Sequence, residues 1–206
     1  MTRLAVFVSG GGRSLENLVE VIAAGRLDAA IGLVLSDRPD VGALDRAARH
    51  ELASAVCRRK DHASLDAFSA AVFDEVERHE CEWVVMAGFL SLAKIPERWV
   101  GRVINIHPSL LPAFGGKGYY GDRVHAAVLE KGVWFSGCTV HFVDNEYDSG
   151  PIILQRVVDV LADDTVDSLA ARVFEQEKIA LPAAVADCLA GRVRFVEGKA
   201  ERTAPR

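Results

Sequence analysis

Leu4-Ala5-Val6-Phe7-Val8-Ser9-Gly10-Gly11-Gly12-Arg13-Ser14-Leu15 is the stretch that decides the fold of this chain. Five apolar residues in succession have strand length and the glycines interrupt them. Leu15, Leu18, Val19 and Ile22 then recur at helical spacing. The order is strand, tight turn, helix. Working outward, Ala29 to Leu35 predicts a second strand ended by Ser36-Asp37-Arg38-Pro39, Val41 to His50 a short helix, and Ala53 to Cys57 a third strand. Leu65, Phe68, Val72, Phe73 and Val76 mark one face of a helix that Asp61 or Ser64 would cap. Trp83 to Ala87 and Val103 to Ile106 are further apolar runs of strand length. Continuous apolar strands alternating with helices predict an α/β fold: a doubly wound, mostly parallel sheet with a Rossmann-like first half. In such a sheet ligands sit beyond the carboxyl ends of the strands, where Gly10 to Ser14, Gly88 to Leu92 and Asn105 to His107 fall.

The second half reads differently. Pro112 to Gly121 is rich in glycine and aromatics and is expected to be a mobile loop, and Asp122 to Glu130 predicts a helix. Val133 to Val143 and Ile152 to Val160 predict two strands joined by an irregular connection, which places antiparallel strands near the C-terminal end. Thr165 to Ala190 is helical despite Pro182, and the polar tail after Arg192 is expected to fray. These readings predict one domain over residues 1–206, with a phosphate-binding half of about 1–100, a catalytic half of about 101–190 and a tail of 191–206.

With 206 residues, half of them hydrophobic, the chain suits one well-buried core. A net charge of −5 gives no field that would gather nucleic acid, so no nucleic-acid partner is expected. The cysteines Cys57, Cys81, Cys138 and Cys188 lack the close pairing of zinc sites and read as reduced core thiols. Met1-Thr2-Arg3 runs straight into a strand, and no apolar run approaches the ~18 residues of a membrane span. A cytoplasmic protein without a membrane partner is expected.

Ser9 to Ser14 joins a strand to a helix, where backbone N–H groups and the positive end of the helix dipole favour an anion. A substrate phosphate, a dinucleotide and a plain structural turn all remain open here. Leu15 stands where the last glycine of a dinucleotide fingerprint belongs, and no Gly-Lys-Ser/Thr follows. Asp37 keeps a ribose contact conceivable.

Asn105-Ile106-His107-Pro108-Ser109-Leu110-Leu111-Pro112 supplies an amide and an imidazole two residues apart at a strand end, hence on one side of the strand. Asp148, in Asp148-Ser149-Gly150, is the candidate carboxylate to tune the imidazole, although a turn aspartate is the plain alternative. An amide, an imidazole and a carboxylate are the parts needed to pass an acyl group to an amine without a metal. Glu177 continues the stripe Val166, Leu169, Ala170, Val173 onto an inward helix face, either as a core-edge carboxylate or as a substrate contact. His50, His62 and His79 are expected to be solvated, His125 has no assigned role, and His141 is expected to steady the Asp148 connection without direct chemistry. No histidine pair has the company of a metal site.

These motifs together, from about Leu4 to about Leu189, resemble the phosphoribosylglycinamide formyltransferases, folate-dependent enzymes of purine synthesis. The resemblance implies Asn105, His107 and Asp148 as catalytic residues. It implies Gly11, Gly12, Arg13, Ser14, Leu15 and Glu177 as contacts of the ribonucleotide, and Phe89, Leu90, Ser91, Leu92, Asn105, Val143, Asp144 and Asp148 as contacts of a 10-formyltetrahydrofolate co-substrate. It implies small-molecule partners and a monomer or homodimer. Arg13-Ser14 replaces the Ser/Thr-Asn pair commoner in that family. Ser91 and Leu65 stand where relatives carry basic residues for the folate tail, a contact that Arg58, Arg59 or Lys60 could supply from the same rim. Lys117 could instead serve the substrate phosphate. Competing readings are a related formyltransferase with another acceptor, a formyl-folate hydrolase, and a nicotinamide-dependent oxidoreductase built on the Gly-rich turn. Relatives that use tRNA or water carry an additional domain, for which this length leaves no room.

Overall fold

The computed structural model describes residues 1–203. The chain forms two compact units, with the division between Ile104 and Asn105. In the first unit β1 (Thr2–Val8) is followed by α1 (Arg13–Ala23), β2 (Ala29–Ser36), α2 (Gly42–Arg49), β3 (Ser54–Val56), α3 (Leu65–Arg78) and β4 (Trp83–Met86). β1 pairs in parallel with β2 and with β4, and β2 with β3. Leu4 to Val8 are all fully buried, as an apolar strand covered on both faces must be. The helices bury one stripe each: Leu15, Leu18 and Val21 on α1, and Phe68, Val72, Phe73 and Val76 on α3. Each large side chain among these contributes roughly 1.5–3 kcal/mol through burial. Ser64, rather than Asp61, caps α3 by accepting a hydrogen bond from the Ala67 N–H at 3.0 Å.

The division falls inside β5 (Val103–His107), whose last three residues open the second unit. There α4 (Asp122–Lys131) precedes an antiparallel pair, β6 (Phe135–Phe142) and β7 (Ile152–Asp159), against which α5 (Val166–Leu189) packs. Thr165 and Ser168 form a capping box at the start of α5, and Pro182 lies within it. The predicted frayed tail is corrected for the described residues. Residues 193–202 form a hairpin of β8 (Val193–Val196) and β9 (Lys199–Arg202). Glu197 and Gly198, with φ of 47° and 78°, make its two-residue turn. Phe195 meets the Phe142 ring edge-on at 5.6 Å, and Arg202 donates to the Ile153 carbonyl at 2.9 Å. Tertiary contact therefore holds a segment whose polar composition suggested none.

Candidate active site

The pleat of β5 puts Asn105 and His107 on one side of the strand, while Ile104 and Ile106 enter the core. Asp148 arrives from the connection between β6 and β7, held in the left-handed region at φ 55°. That connection closes tightly: a Cβ on Gly150 would lie 1.9 Å from the Phe142 carbonyl oxygen, so only glycine fits. The structure thus brings the three predicted catalytic residues together. His107 Nδ1 lies 3.4 Å from Asp148 Oδ2, and Asn105 Nδ2 lies 3.4 Å from Asp148 Oδ1. Thr139 of β6 braces the segment beyond His107 by donating to the Ser109 carbonyl at 2.7 Å and accepting from the Leu111 N–H at 3.0 Å. Gln155 of β7 donates to the Leu111 carbonyl at 3.0 Å.

Three groups that sequence reasoning left without chemistry join this cluster. His141 Nε2 lies 3.0 Å from Asn105 Nδ2 and 3.7 Å from Asp148 Oδ1. The loop of residues 112–121, expected to be mobile, is tied down twice: the Phe114 carbonyl accepts from His107 Nε2 at 2.8 Å, and the Gly116 N–H donates to Asp148 Oδ2 at 2.9 Å. Alternation along β6 was the available signal for His141, because it shares a face with Thr139 two residues earlier.

Burial lowers the His107 pKa from its ordinary value, with the Asp148 charge and the Phe114 carbonyl pulling back the other way. Burial alone would raise the Asp148 pKa. The nearby His141, the His107 charge and the Gly116 N–H outweigh it and keep the carboxyl below its usual range. A buried imidazole whose charged form is opposed by burial and supported by a carboxylate and a carbonyl has the surroundings of a proton carrier.

In the first unit Gly12, at φ 75°, is the N-cap of α1. A Cβ there would meet the Ala43 Cβ at 2.7 Å, so both conformation and space require glycine. Arg46 of α2 donates through Nε to the Gly11 carbonyl at 2.8 Å and through Nη1 to Glu16 at 2.6 Å, and His50 meets Glu16 at 2.7 Å. With the Gly11 carbonyl engaged by Arg46, the first-turn N–H groups of α1 are the donors that such a turn offers to an anion. The Leu15 side chain is fully buried, so only its backbone serves such a site.

Beyond β4, Leu90 donates its N–H to Ser9 Oγ at 2.8 Å, which ties the Phe89 to Leu92 segment to the Gly-rich turn. Ser91 donates to Asp37 at 2.6 Å on the wall of a cavity of about 330 Å³ that Arg38, Arg58, Arg59 and Lys60 also line. Val143 is half-buried. Asp144 has a structural task in its own loop, accepting from the Glu146 N–H at 2.9 Å and from Ser149 Oγ at 2.6 Å. Its carboxylate is thus committed, and only its backbone is open to a ligand. Glu177, half-buried on α5, adds its charge to the burial that pushes the Cys138 thiol up to about 12. His62 and His79, expected to be solvated, are half-buried, and His62 packs edge-on against Phe68 at 5.7 Å. Lys117 is exposed. Among the described residues no group of three or more His, Cys, Asp or Glu could hold a metal ion, and no helix is long and apolar enough to cross a membrane.

Parallel strands wound with helices, with an amide and an imidazole at the end of β5 and a carboxylate from the connection between β6 and β7, are the arrangement expected of an acyl-transfer protein. The Formyl transferase profile matches residues 2–185, and the chain belongs to that family. Within the family its similarity runs to phosphoribosylglycinamide formyltransferases. The chloroplastic one of Vigna unguiculata is 40% identical over 177 residues, covering 85% of this chain and 57% of that protein. The crystal structure of glycinamide ribonucleotide transformylase 1 from Symbiobacterium toebii matches with a TM-score of 0.92 at 34% identity, covering 99% of this chain and 95% of that one. A formyltetrahydrofolate deformylase from Pseudomonas syringae pv. tomato matches with a TM-score of 0.86 at 25% identity, covering 98% of this chain and 66% of that one. The chain spans 57% and 61% of the lengths of the two plant relatives it matches.

Proposed function

We propose that this chain transfers the formyl group of 10-formyltetrahydrofolate to the amine of 5′-phosphoribosylglycinamide, in the synthesis of purines. The observation that carries this reading is the convergence of Asn105 and His107 on Asp148, each 3.4 Å away. The neutral amine attacks the formyl carbon, and the carbonyl electron pair moves onto oxygen, where protonated His107 and the Asn105 amide N–H meet it. As the carbon–nitrogen bond to the folate breaks, the proton lost by the attacking amine passes to the departing nitrogen. Asp148 keeps the imidazole charged for this and orders a water that carries the proton. His107 trades its contact with the Phe114 carbonyl for the substrate when the loop of residues 112–121 admits it.

The turn at Gly11 to Leu15 takes the substrate phosphate through backbone N–H groups, and Glu177 takes a ribose hydroxyl or the amine. Phe89 to Leu92 and the backbone of Val143 and Asp144 take the folate ring system. The cationic rim of Arg58, Arg59 and Lys60 suits the anionic folate tail in place of basic residues at Ser91 and Leu65. The partners are small molecules, without nucleic acid or membrane, acting in the cytoplasm as a monomer or homodimer. Family membership sets the nicotinamide-dependent oxidoreductase aside. The deformylase likeness keeps water as the alternative acceptor.

The test is an assay of the purified protein with 10-formyl-5,8-dideazafolate and glycinamide ribonucleotide, beside a panel of other amines and an amine-free control. Formylated glycinamide ribonucleotide as the sole product is expected. Formate released at the same rate without amine would overturn the acceptor assignment.

A further inference from the structure

His141 is 2% exposed and sits where the register of β6 against β7 shifts, between Val140 and His141. Its Nδ1 lies 2.7 Å from the Phe142 carbonyl oxygen. A carbonyl only accepts, so Nδ1 carries the proton, and the Nε2 of the neutral ring is an acceptor. Asn105 Nδ2 lies 3.0 Å from that Nε2 and therefore donates to it. The second N–H of the same amide faces Asp148 Oδ1 at 3.4 Å, longer than a well-formed hydrogen bond.

An amide is nearly symmetric in shape, and rotation by half a turn exchanges its donor for its acceptor. The reaction tolerates only one of these orientations. With N–H inward the amide donates to the developing oxyanion, and with Oδ1 inward it repels it. We propose that His141 is a positioning residue: in its Nδ1–H form it holds Asn105 by one N–H and leaves the other, loosely engaged by Asp148, to turn to the oxyanion. This rests on the formyl-transfer reading for its chemistry, and on the geometry of four side chains for its structure. The titratable groups that face His141 are Asp148, through Oδ1 at 3.7 Å, and His107.

The experiment compares His141→Leu, which removes the acceptor, with His141→Gln, whose side-chain oxygen restores it. Leucine should lower kcat about 10- to 100-fold, less than loss of the oxyanion donor itself, with both KM values unchanged within about twofold. Glutamine should recover most of that loss. In an Asn105→Ala background, His141→Leu should cost less than about twofold more, because its effect runs through the amide. The alkaline limb of the pH–rate profile, set by His107, should persist in His141→Leu. Wild-type kcat in His141→Leu, a full further loss in the Asn105→Ala background, or disappearance of the alkaline limb would each overturn the proposal. Nitrogen NMR of the His141 ring in the wild-type protein near neutral pH gives a readout independent of folding and turnover. The Nδ1–H form supports the assignment and the Nε2–H form overturns it. A wild-type protein that transfers no formyl group but shows the Nδ1–H form would sink the functional reading and leave the hydrogen-bond assignment standing.

Discussion

The Gly-rich turn of the first unit and the Asn105, His107, Asp148 cluster of the second use opposite means. The turn works through main chain: Gly12 supplies a left-handed φ and close approach to Ala43, Arg46 holds the Gly11 carbonyl, and the donors are peptide N–H groups. The cluster works through side chains, each held at a distance of about a hydrogen bond from the next. A backbone cradle tolerates exchange of side chains but not of conformation, whereas a catalytic cluster tolerates neither loss of charge nor loss of a donor. On the proposed function, Arg13-Ser14 can therefore replace a commoner pair while the backbone cradle stays, and no such freedom exists at Asp148.

The sharpest way to break this comparison is Asp148→Asn. It keeps the shape and removes the charge, so kcat should fall on the order of 10³-fold, within the range of general acid–base catalysis. The pH profile has a sign as well. Asp148 raises the His107 pKa against burial, so its neutralisation lowers that pKa further. The active form carries the protonated imidazole, and its population falls as pH rises through the pKa. The alkaline limb of kcat should therefore move to lower pH in Asp148→Asn. An unmoved limb would mean that His107 is not the titrating group. Asn105→Ala should follow, with kcat down about 10²–10³-fold, ~2.7–4 kcal/mol, and both KM values nearly unchanged.

The contrast between main chain and side chain also explains what the sequence could reveal. β1, the turn and α1 were legible because they are local: an apolar run, three glycines and a helical stripe lie within some twenty residues. Asn105 and His107 were legible as neighbours because a strand's pleat fixes i and i+2 on one side. His141 could not be assigned its contact, since that depends on where β6 lies beside β5, which no local pattern encodes. The same holds for Arg46, which reaches Gly11 from another helix, and for the β8 to β9 hairpin. Its second strand is polar, and the hairpin is tied to Phe142 and Ile153 from far along the chain. Val193, Phe195, Val196 and the Glu197-Gly198 turn were its local traces.

Gly12→Ala tests the backbone side of the comparison. The new Cβ would need both a left-handed φ and the space held by Ala43, at a strain of about 1–3 kcal/mol. The Tm should fall, and the KM for the ribonucleotide should rise about tenfold, ~1.4 kcal/mol, with kcat little changed. A kcat loss as large as that of Asn105→Ala would show that the turn shares in the chemistry, and the division of labour between main chain and side chain would fail.

The smallest expected effect is at Arg46. Arg46→Leu frees the Gly11 carbonyl and removes one partner of Glu16, while the glycines and peptide donors stay in place. The KM for the ribonucleotide should rise only about threefold, because the cradle loses a brace and not a donor. Stability should fall by roughly 0.5–1 kcal/mol at neutral pH, as befits a partly exposed pair. Hydrogen bonds from Arg46 and then His50 hold the Glu16 carboxyl below its ordinary value. Its contribution is therefore present above the ordinary carboxylate range and fades as pH falls through the lowered value. Urea unfolding of the two proteins should accordingly show a gap at pH 7 that narrows towards pH 3. A gap that stays constant would mean that Arg46 acts through packing of its aliphatic stem rather than through its charge.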